Sequence, residues 1–191
     1  AESVGWPTDR GFFYVSDAVQ LAPRYRLRAN RTIVSPAAYI RSKAGSGDEK
    51  QFDPGKFVVT SIDGYAYCIQ EHSGDLIWRF SAGEPISHTP VAIGDFVYVI
   101  TDTRGMYRVA IKNGQETWWT SGIKQFLASS ENRLYCTDDV GQIVVIDAET
   151  GGRVTSIPTT GFDLLYTNYE TDRLFLGNRK GLLLCLHETQ L

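Results

Sequence analysis

A glycine-led apolar segment recurs along the 191-residue chain at intervals of about 40 residues. The segments begin at five glycines, spaced 53, 41, 36 and 40 residues apart: Gly11, Gly64, Gly105, Gly141 and Gly181. The longest interval contains residues 41–56, rich in Gly, Ser, Lys and Asp, which we interpret as a loop insertion. A period of this length is typical of folds that stack one small structural unit many times. The repeat therefore constrains the fold more strongly than the composition does.

Each repeated segment has the alternation of a β-strand. The positions two residues after the glycine are Phe13, Ala66, Tyr107, Ile143 and Leu183, and those four residues after it are Val15, Cys68, Val109, Val145 and Cys185. These positions are all apolar and are predicted to share one face of the strand. A short strand precedes each segment, and another follows a turn pair such as Asn113-Gly114. Each module is thus predicted to hold four strands, with turn glycines at Gly64, Gly74, Gly105, Gly114, Gly141, Gly151 and Gly181.

A four-stranded unit with this period predicts an all-β chain folded as a β-propeller, because one small sheet cannot bury two apolar faces by itself. Residues 1–29 are predicted to be the late strands of a preceding blade. Blades are predicted at 30–83 (with the insertion 41–56), 84–120, 121–158 and 159–191, the last without its outer strand. The chain would hold about 4 to 4.5 blades of a seven- or eight-bladed ring. We expect either a segment of a longer chain or two copies that assemble through their open blade edges.

The residues at the turns follow an order that resembles the repeat of a known family. The order glycine, apolar strand, Asp, two residues, Thr-Gly, three residues and Trp resembles the pyrrolo-quinoline-quinone-like (PQQ-like) repeat of the quinoprotein-dehydrogenase-like propeller family. Residues 146–151 match this order, and the modules before them keep the tryptophan at Trp78 and Trp118. The resemblance implies that both tryptophans dock adjacent blades. It also implies a bacterial protein of the periplasm or a secreted one.

Composition and spacing narrow the classes of function. A net charge of −3 gives no basic surplus, so we expect no nucleic-acid partner. No apolar run approaches the ~20 residues of a transmembrane segment. Cys68, Cys136 and Cys185 form no CxxC pair and are predicted to be small buried thiols in strands. Ala1 is not an initiator methionine, which suggests a removed leader or a segment of a longer product.

No constellation for catalysis stands out. The carboxylates of Asp102, Asp138 and Asp139 fall in predicted turns, where Asp is common for backbone reasons. The three histidines, His72, His88 and His187, lie at different points of the module and do not converge on a metal. We assign no catalytic, cofactor-binding or metal-binding residue, and we expect neither an enzyme nor a cofactor.

The predicted function is a non-catalytic propeller that acts as a scaffold or binding module for a protein partner. A binding surface is predicted at three arginines that alternate along one strand and at a histidine before a channel-lining strand: Arg24, Arg26, Arg28 and His88. The arginines would equally serve to protect an edge strand from unwanted pairing. One alternative, implied by the resemblance, is a fragment of a quinoprotein dehydrogenase that holds PQQ with calcium. A second alternative is a propeller that binds carbohydrate or peptide.

Overall fold

The chain is described by a computed structural model over residues 3–41 and 54–188. These residues form eighteen β-strands in five antiparallel sheets and no helix, which confirms the predicted all-β class. Among them there is accordingly no helix long and apolar enough to cross a membrane. Residues 42–53 of the predicted insertion at 41–56 lie outside the described residues.

The strands pair in the order of the chain within every sheet, so each sheet is a simple meander. The first sheet contains β1 (Ser3–Pro7), β2 (Phe12–Asp17) and β3 (Pro23–Arg28). The second contains β4 (Ala38–Ile40), β5 (Lys56–Thr60), β6 (Tyr65–Gln70) and β7 (Leu76–Ser81). The third contains β8 (Val91–Ile93), β9 (Phe96–Ile100), β10 (Gly105–Ala110) and β11 (Glu116–Ser121). The fourth contains β12 (Ile123–Ser129), β13 (Arg133–Asp138), β14 (Ile143–Asp147) and β15 (Arg153–Ile157). The fifth contains β16 (Leu164–Tyr166), β17 (Leu174–Gly177) and β18 (Leu183–Leu186).

The chain divides into two compact units. The first contains Ala1–Asp102 and Tyr107–Thr117, and the second contains Thr103–Met106 and Trp118–Leu191. In the first unit, apolar layers cover both faces of the second sheet, and β5 is buried along its whole length. One layer joins it to the first sheet through Phe13, Val15, Phe57, Val59, Tyr67 and Ile69. The other layer joins it to residues of the third sheet through Val58, Ala66, Cys68, Val97, Val99, Tyr107 and Val109.

The second unit repeats this arrangement with its own core. The fourth and fifth sheets meet through Leu127, Tyr135, Ile143, Val145, Leu174 and Leu176, all buried. Burial of apolar side chains between neighbouring sheets is thus the common source of stability in both units. The repeat specifies this layer because alternate residues of one strand face opposite neighbours.

The third sheet departs from the predicted register. In the second sheet, the Ala82 amide donates a hydrogen bond to the Gly64 carbonyl. The equivalent bond of the third sheet runs from the Gly122 amide to the Arg104 carbonyl, so the residue that corresponds to Gly64 is Arg104 rather than Gly105. Tyr107 therefore corresponds to Tyr67 and faces the second sheet, whereas the sequence alignment had placed it with Ala66. A slip of one residue moves every side chain of a strand to the other face. The prediction that Tyr107 and Val109 share the face of Ala66 and Cys68 is wrong for this reason.

Candidate functional site

Trp78 docks the second sheet onto the last turn of the third. Its indole Nε1 donates a hydrogen bond of 2.7 Å to the Ile111 carbonyl, and the ring is buried. A Cβ on Gly114 would lie 2.7 Å from this ring, so the glycine allows the close approach of turn and indole. Gly114 also has a φ of +73°, which its turn requires.

Trp118 repeats the contact within the second unit. Its Nε1 donates a 3.2 Å hydrogen bond to the Ala148 carbonyl, and its ring lies against Gly151. Positive φ angles occur at all the turn glycines that the sequence singled out: Gly64, Gly74, Gly105, Gly114, Gly141, Gly151 and Gly181. Gly105 differs from the others because it lies in β10 with a φ of +140°.

Tyr25 takes the place of the tryptophan in the first sheet, and sequence reasoning missed it. Its hydroxyl donates to the carbonyls of Gln70 and Glu71, at 3.0 and 2.9 Å, and its ring lies against Gly74. Burial, and then the charge of Glu71, raise the pKa of this phenol. Tyr25 follows Leu21 by four residues, as Trp78 follows Gly74. The spacing was therefore a usable signal, but the missing turn glycine concealed it.

The turn before Tyr25 is stabilised by a carboxylate. Asp17 Oδ1 accepts the backbone amides of Val19 and Gln20, both at 2.8 Å. The Gln20 amide, followed by the guanidinium of Arg24, lowers the pKa of Asp17 to about 2. Arg24 reaches Asp17 Oδ2 at 2.5 Å and also contacts His72 Nδ1 at 2.8 Å. Arg24 therefore has a structural role between the first two sheets.

Arg26 and Arg28 lie together on the outward face of the first sheet. Their guanidinium carbons are 4.8 and 5.8 Å from the centre of the Phe12 ring, within cation–π range. On the same face Trp6 stacks on Tyr14 with 5.9 Å between ring centres. We call this surface the arginine–aromatic face, formed by Val4, Trp6, Phe12, Tyr14, Arg26 and Arg28. The structure thus brings two of the three predicted arginines together.

The fifth sheet carries a second open surface. Strand pairing places Leu164, Tyr166, Phe175, Leu183 and Cys185 on the face opposite the apolar layer shared with the fourth sheet. We call this surface the fifth-sheet face. Cys185 is exposed there, so the prediction of a buried thiol is wrong at this position. The equivalent Cys68 is buried because the third sheet covers it.

The remaining candidates have backbone or core roles. The His88 carbonyl accepts hydrogen bonds from the hydroxyls of Thr60 and Ser35, at 2.9 and 3.2 Å. Asp102 Oδ1 accepts the Ser87 amide and hydroxyl, and Asp138 Oδ1 accepts the Val140 and Gln142 amides. Cys136 is buried, which raises the pKa of its thiol. Within residues 3–41 and 54–188, no group of three or more His, Cys, Asp or Glu side chains could hold a metal ion.

A designed protein of known structure has a similar fold at low sequence identity. The computationally designed Ika8 protein superposes with a TM-score of 0.72 and 16% identity, covering 98% of this chain and 56% of that one. BamB from Moraxella catarrhalis gives a TM-score of 0.48 at 13% identity, covering 98% of this chain and 73% of that one.

Sequence comparison adds one curated relative and one family. A tetrathionate hydrolase from Acidithiobacillus ferrooxidans is 25% identical over 167 residues, covering 71% of this chain and 34% of the relative. The chain thus spans about a third of the length of that relative. The family model described as "Outer membrane protein assembly factor BamB" matches residues 29–124. Those residues contain four of the seven turn glycines and both tryptophan anchors, Trp78 and Trp118. The chain therefore belongs to this family of PQQ-like repeat propellers.

Proposed function

We propose that this chain is a non-catalytic propeller module that binds a protein partner through the arginine–aromatic face. The observation that supports this most directly is the composition of that face. Tryptophan, tyrosine and arginine are the residue types that most often dominate the binding energy of protein interfaces. The first sheet carries all three residue types on one face, as Trp6, Tyr14 and the two arginines Arg26 and Arg28.

The side chains of the face also contact one another in the unbound chain. Trp6 and Tyr14 are held by their ring stacking, and Phe12 holds Arg26 and Arg28 over its ring. Side chains already held in place lose less conformational entropy when a partner binds. The family is described as that of an outer membrane protein assembly factor, which also supports a role in binding proteins.

An enzymatic role has less support. The carboxylates of Asp102 and Asp138 accept hydrogen bonds from nearby backbone amides, and Asp102 also accepts one from the Ser87 hydroxyl. Among the described residues, no group of three or more His, Cys, Asp or Glu side chains could hold a metal ion. The relative from Acidithiobacillus ferrooxidans is named a hydrolase, but this chain matches 34% of its length. We therefore propose that binding, rather than chemistry, is the task of this module.

Photo-cross-linking tests the proposal. A photoreactive phenylalanine analogue replaces Tyr14, a position that is already aromatic, and the matched control carries it at the exposed Val140. We expect a covalent adduct with an identified polypeptide from position 14, absent at position 140 and reduced by the double change Arg26→Ala and Arg28→Ala. Equal adduct yields from positions 14 and 140 would contradict the proposed binding face. A rise in melting temperature on adding PQQ with calcium would contradict the non-catalytic role.

A further inference from the structure

The turn between β10 and β11 contains the one asparagine of the sequence that precedes a glycine, Asn113 before Gly114. The other four asparagines precede arginine or tyrosine: Asn30, Asn132, Asn168 and Asn178. Glycine has no side chain to shield its backbone nitrogen, so this nitrogen can approach the side chain of the residue before it closely. Asn113 is also exposed to solvent. Such a pair allows the glycine nitrogen to attack the asparagine side chain.

The reaction converts the asparagine amide into an acid in two steps. The Gly114 nitrogen attacks Asn113 Cγ, so that an N–C bond forms and the Cγ–Nδ2 bond breaks. Nδ2 leaves as ammonia and takes the proton of the Gly114 amide, and the product is a cyclic imide. Water then opens either C–N bond of the imide and leaves aspartate or isoaspartate at position 113. In isoaspartate the main chain runs through Cβ and is one methylene longer.

The closed turn holds both reacting groups in hydrogen bonds. The Gly114 amide, which supplies the nucleophile, donates to the Ala110 carbonyl at 2.8 Å. Asn113 Oδ1 accepts the Gln115 amide at 3.2 Å, and Asn113 Nδ2, the leaving group, donates to Gln115 Oε1 at 2.9 Å. The reaction therefore requires a local opening of the turn, and its rate follows the free energy of that opening.

Trp78 holds the same turn closed from the second sheet. Its indole donates to the Ile111 carbonyl, where the turn begins, and its ring lies over Gly114, where an added Cβ would be 2.7 Å from the ring. Both residues of the anchor and the whole turn belong to the first compact unit. Because opening of the turn breaks these contacts, the Trp78 anchor adds to the free energy that opening costs.

We propose that Asn113 is the deamidation site of this chain and that Trp78 controls the rate of the reaction there. The relation is reciprocal, because the longer main chain of isoaspartate displaces Gly114, for which the indole ring leaves no spare room. The product therefore loosens the anchor that protected the turn. Since water is the only other reactant, the site limits the lifetime of the Trp78 contact. This inference stands on the β10–β11 turn and is independent of the arginine–aromatic face.

Mass spectrometry of peptides from the folded chain, incubated at mildly alkaline pH, tests the proposal. We expect aspartate and isoaspartate to form several-fold faster at Asn113 than at Asn132, an exposed asparagine that precedes arginine. Trp78→Phe removes the indole donor and should raise the rate at Asn113 several-fold. Tyr25→Phe is the matched control in the same unit, because its hydroxyl bonds instead to the turn before β7. Circular dichroism checks that each variant is folded.

Two outcomes of this experiment would overturn the proposal. If Asn113 reacts no faster than Asn132 in both the unmodified chain and Trp78→Phe, it is not the deamidation site. If Trp78→Phe and Tyr25→Phe raise the rate equally, unfolding of the whole unit rather than the Trp78 contact controls the reaction. Product at Asn113 in Trp78→Phe alone would support the protective role of the indole.

The stability of the product gives a second measurement. Asn113→Asp carries the new charge on a main chain of normal length, so it is the control for the aged chain. We expect aged chain that is rich in isoaspartate to melt at a lower temperature than freshly prepared Asn113→Asp. Equal melting temperatures would overturn the loosening of the anchor by the longer main chain.

Discussion

Leu21 holds a backbone conformation that the other modules assign to glycine. It aligns with Gly74, Gly114 and Gly151, and its φ angle is +53°. Among the described non-glycine residues, it is the only one with a positive φ angle. The left-handed region brings Cβ close to the backbone carbonyl and costs an L-residue roughly 1–2 kcal/mol. The turn forms nevertheless, because Asp17 accepts two of its amides and donates its own amide to the Ala22 carbonyl.

Replacing this leucine should therefore stabilise the chain. We expect Leu21→Gly to raise the free energy of unfolding by about 1 kcal/mol, since the relief of strain exceeds the entropy that glycine adds to the unfolded chain. Urea unfolding followed by circular dichroism measures the change. Gly74→Ala is the opposite control, because its Cβ would meet the Tyr25 ring at 2.6 Å. A less stable Leu21→Gly variant would show that the leucine side chain contributes more than the strain costs.

Asp17 should make the same turn sensitive to acid. Its pKa is lowered from 3.8 to about 2, so the carboxylate stabilises the fold above pH 4 and loses this effect as the pH falls towards 2. We expect Asp17→Asn to be less stable than the unmodified chain at pH 7, with a difference that shrinks between pH 4 and 2. Urea unfolding at pH 7, 4 and 2 measures this, and Asp139→Asn is the exposed control. A difference that is constant with pH would exclude the carboxylate charge as its cause.

At the scale of elements, the sheets are joined by aromatic anchors as well as by apolar layers. Trp78, Trp118 and Tyr25 each extend from an outer strand and donate to carbonyls at the last turn of the next module. The anchor differs in residue type, but its position relative to the turn is constant. Sheet contacts of this kind are specified by the repeat because anchor and turn occur once in each module.

The two tryptophans should differ in what they contribute. We expect Trp78→Phe to lower the free energy of unfolding by about 1–3 kcal/mol, because it leaves the Ile111 carbonyl buried without its donor. Trp118→Phe should cost less, since Trp118 is only half-buried and its hydrogen bond is longer, at 3.2 Å. Urea unfolding of the two variants, side by side, measures the difference. Equal losses would mean that ring packing, rather than the hydrogen bond, dominates both anchors.

At the scale of the whole molecule, two of the five sheets have fewer strands than the others. The first and fifth sheets have three strands each, whereas the other three sheets have four. The chain spans 34% of the tetrathionate hydrolase and 56% of the designed protein. The number of blades in a complete ring, seven or eight, and the boundaries at residues 29, 83, 120 and 158 stay predictions.

The sequence by itself determined the class of fold and the nature of the repeated unit. Turn glycines and alternating apolar residues act locally, so their spacing predicts strands, turns and the need for stacked sheets. The same local information predicted that Cys68 and Cys136 lie in buried strand positions, as the structure confirms.

Only the tertiary structure decided which of these positions are covered. Cys68 and Cys185 occupy equivalent positions in their modules, yet one is buried and the other exposed. Likewise, the strand β3 carries three arginines at alternate positions, but their contacts differ. Arg24 forms a salt bridge with Asp17, whereas Arg26 and Arg28 lie over the Phe12 ring. The physical reason is that burial and pairing depend on residues from another sheet or strand, many positions away along the chain. A repeat pattern specifies what a surface is made of, whereas its neighbour in space determines whether that surface remains open to bind a partner.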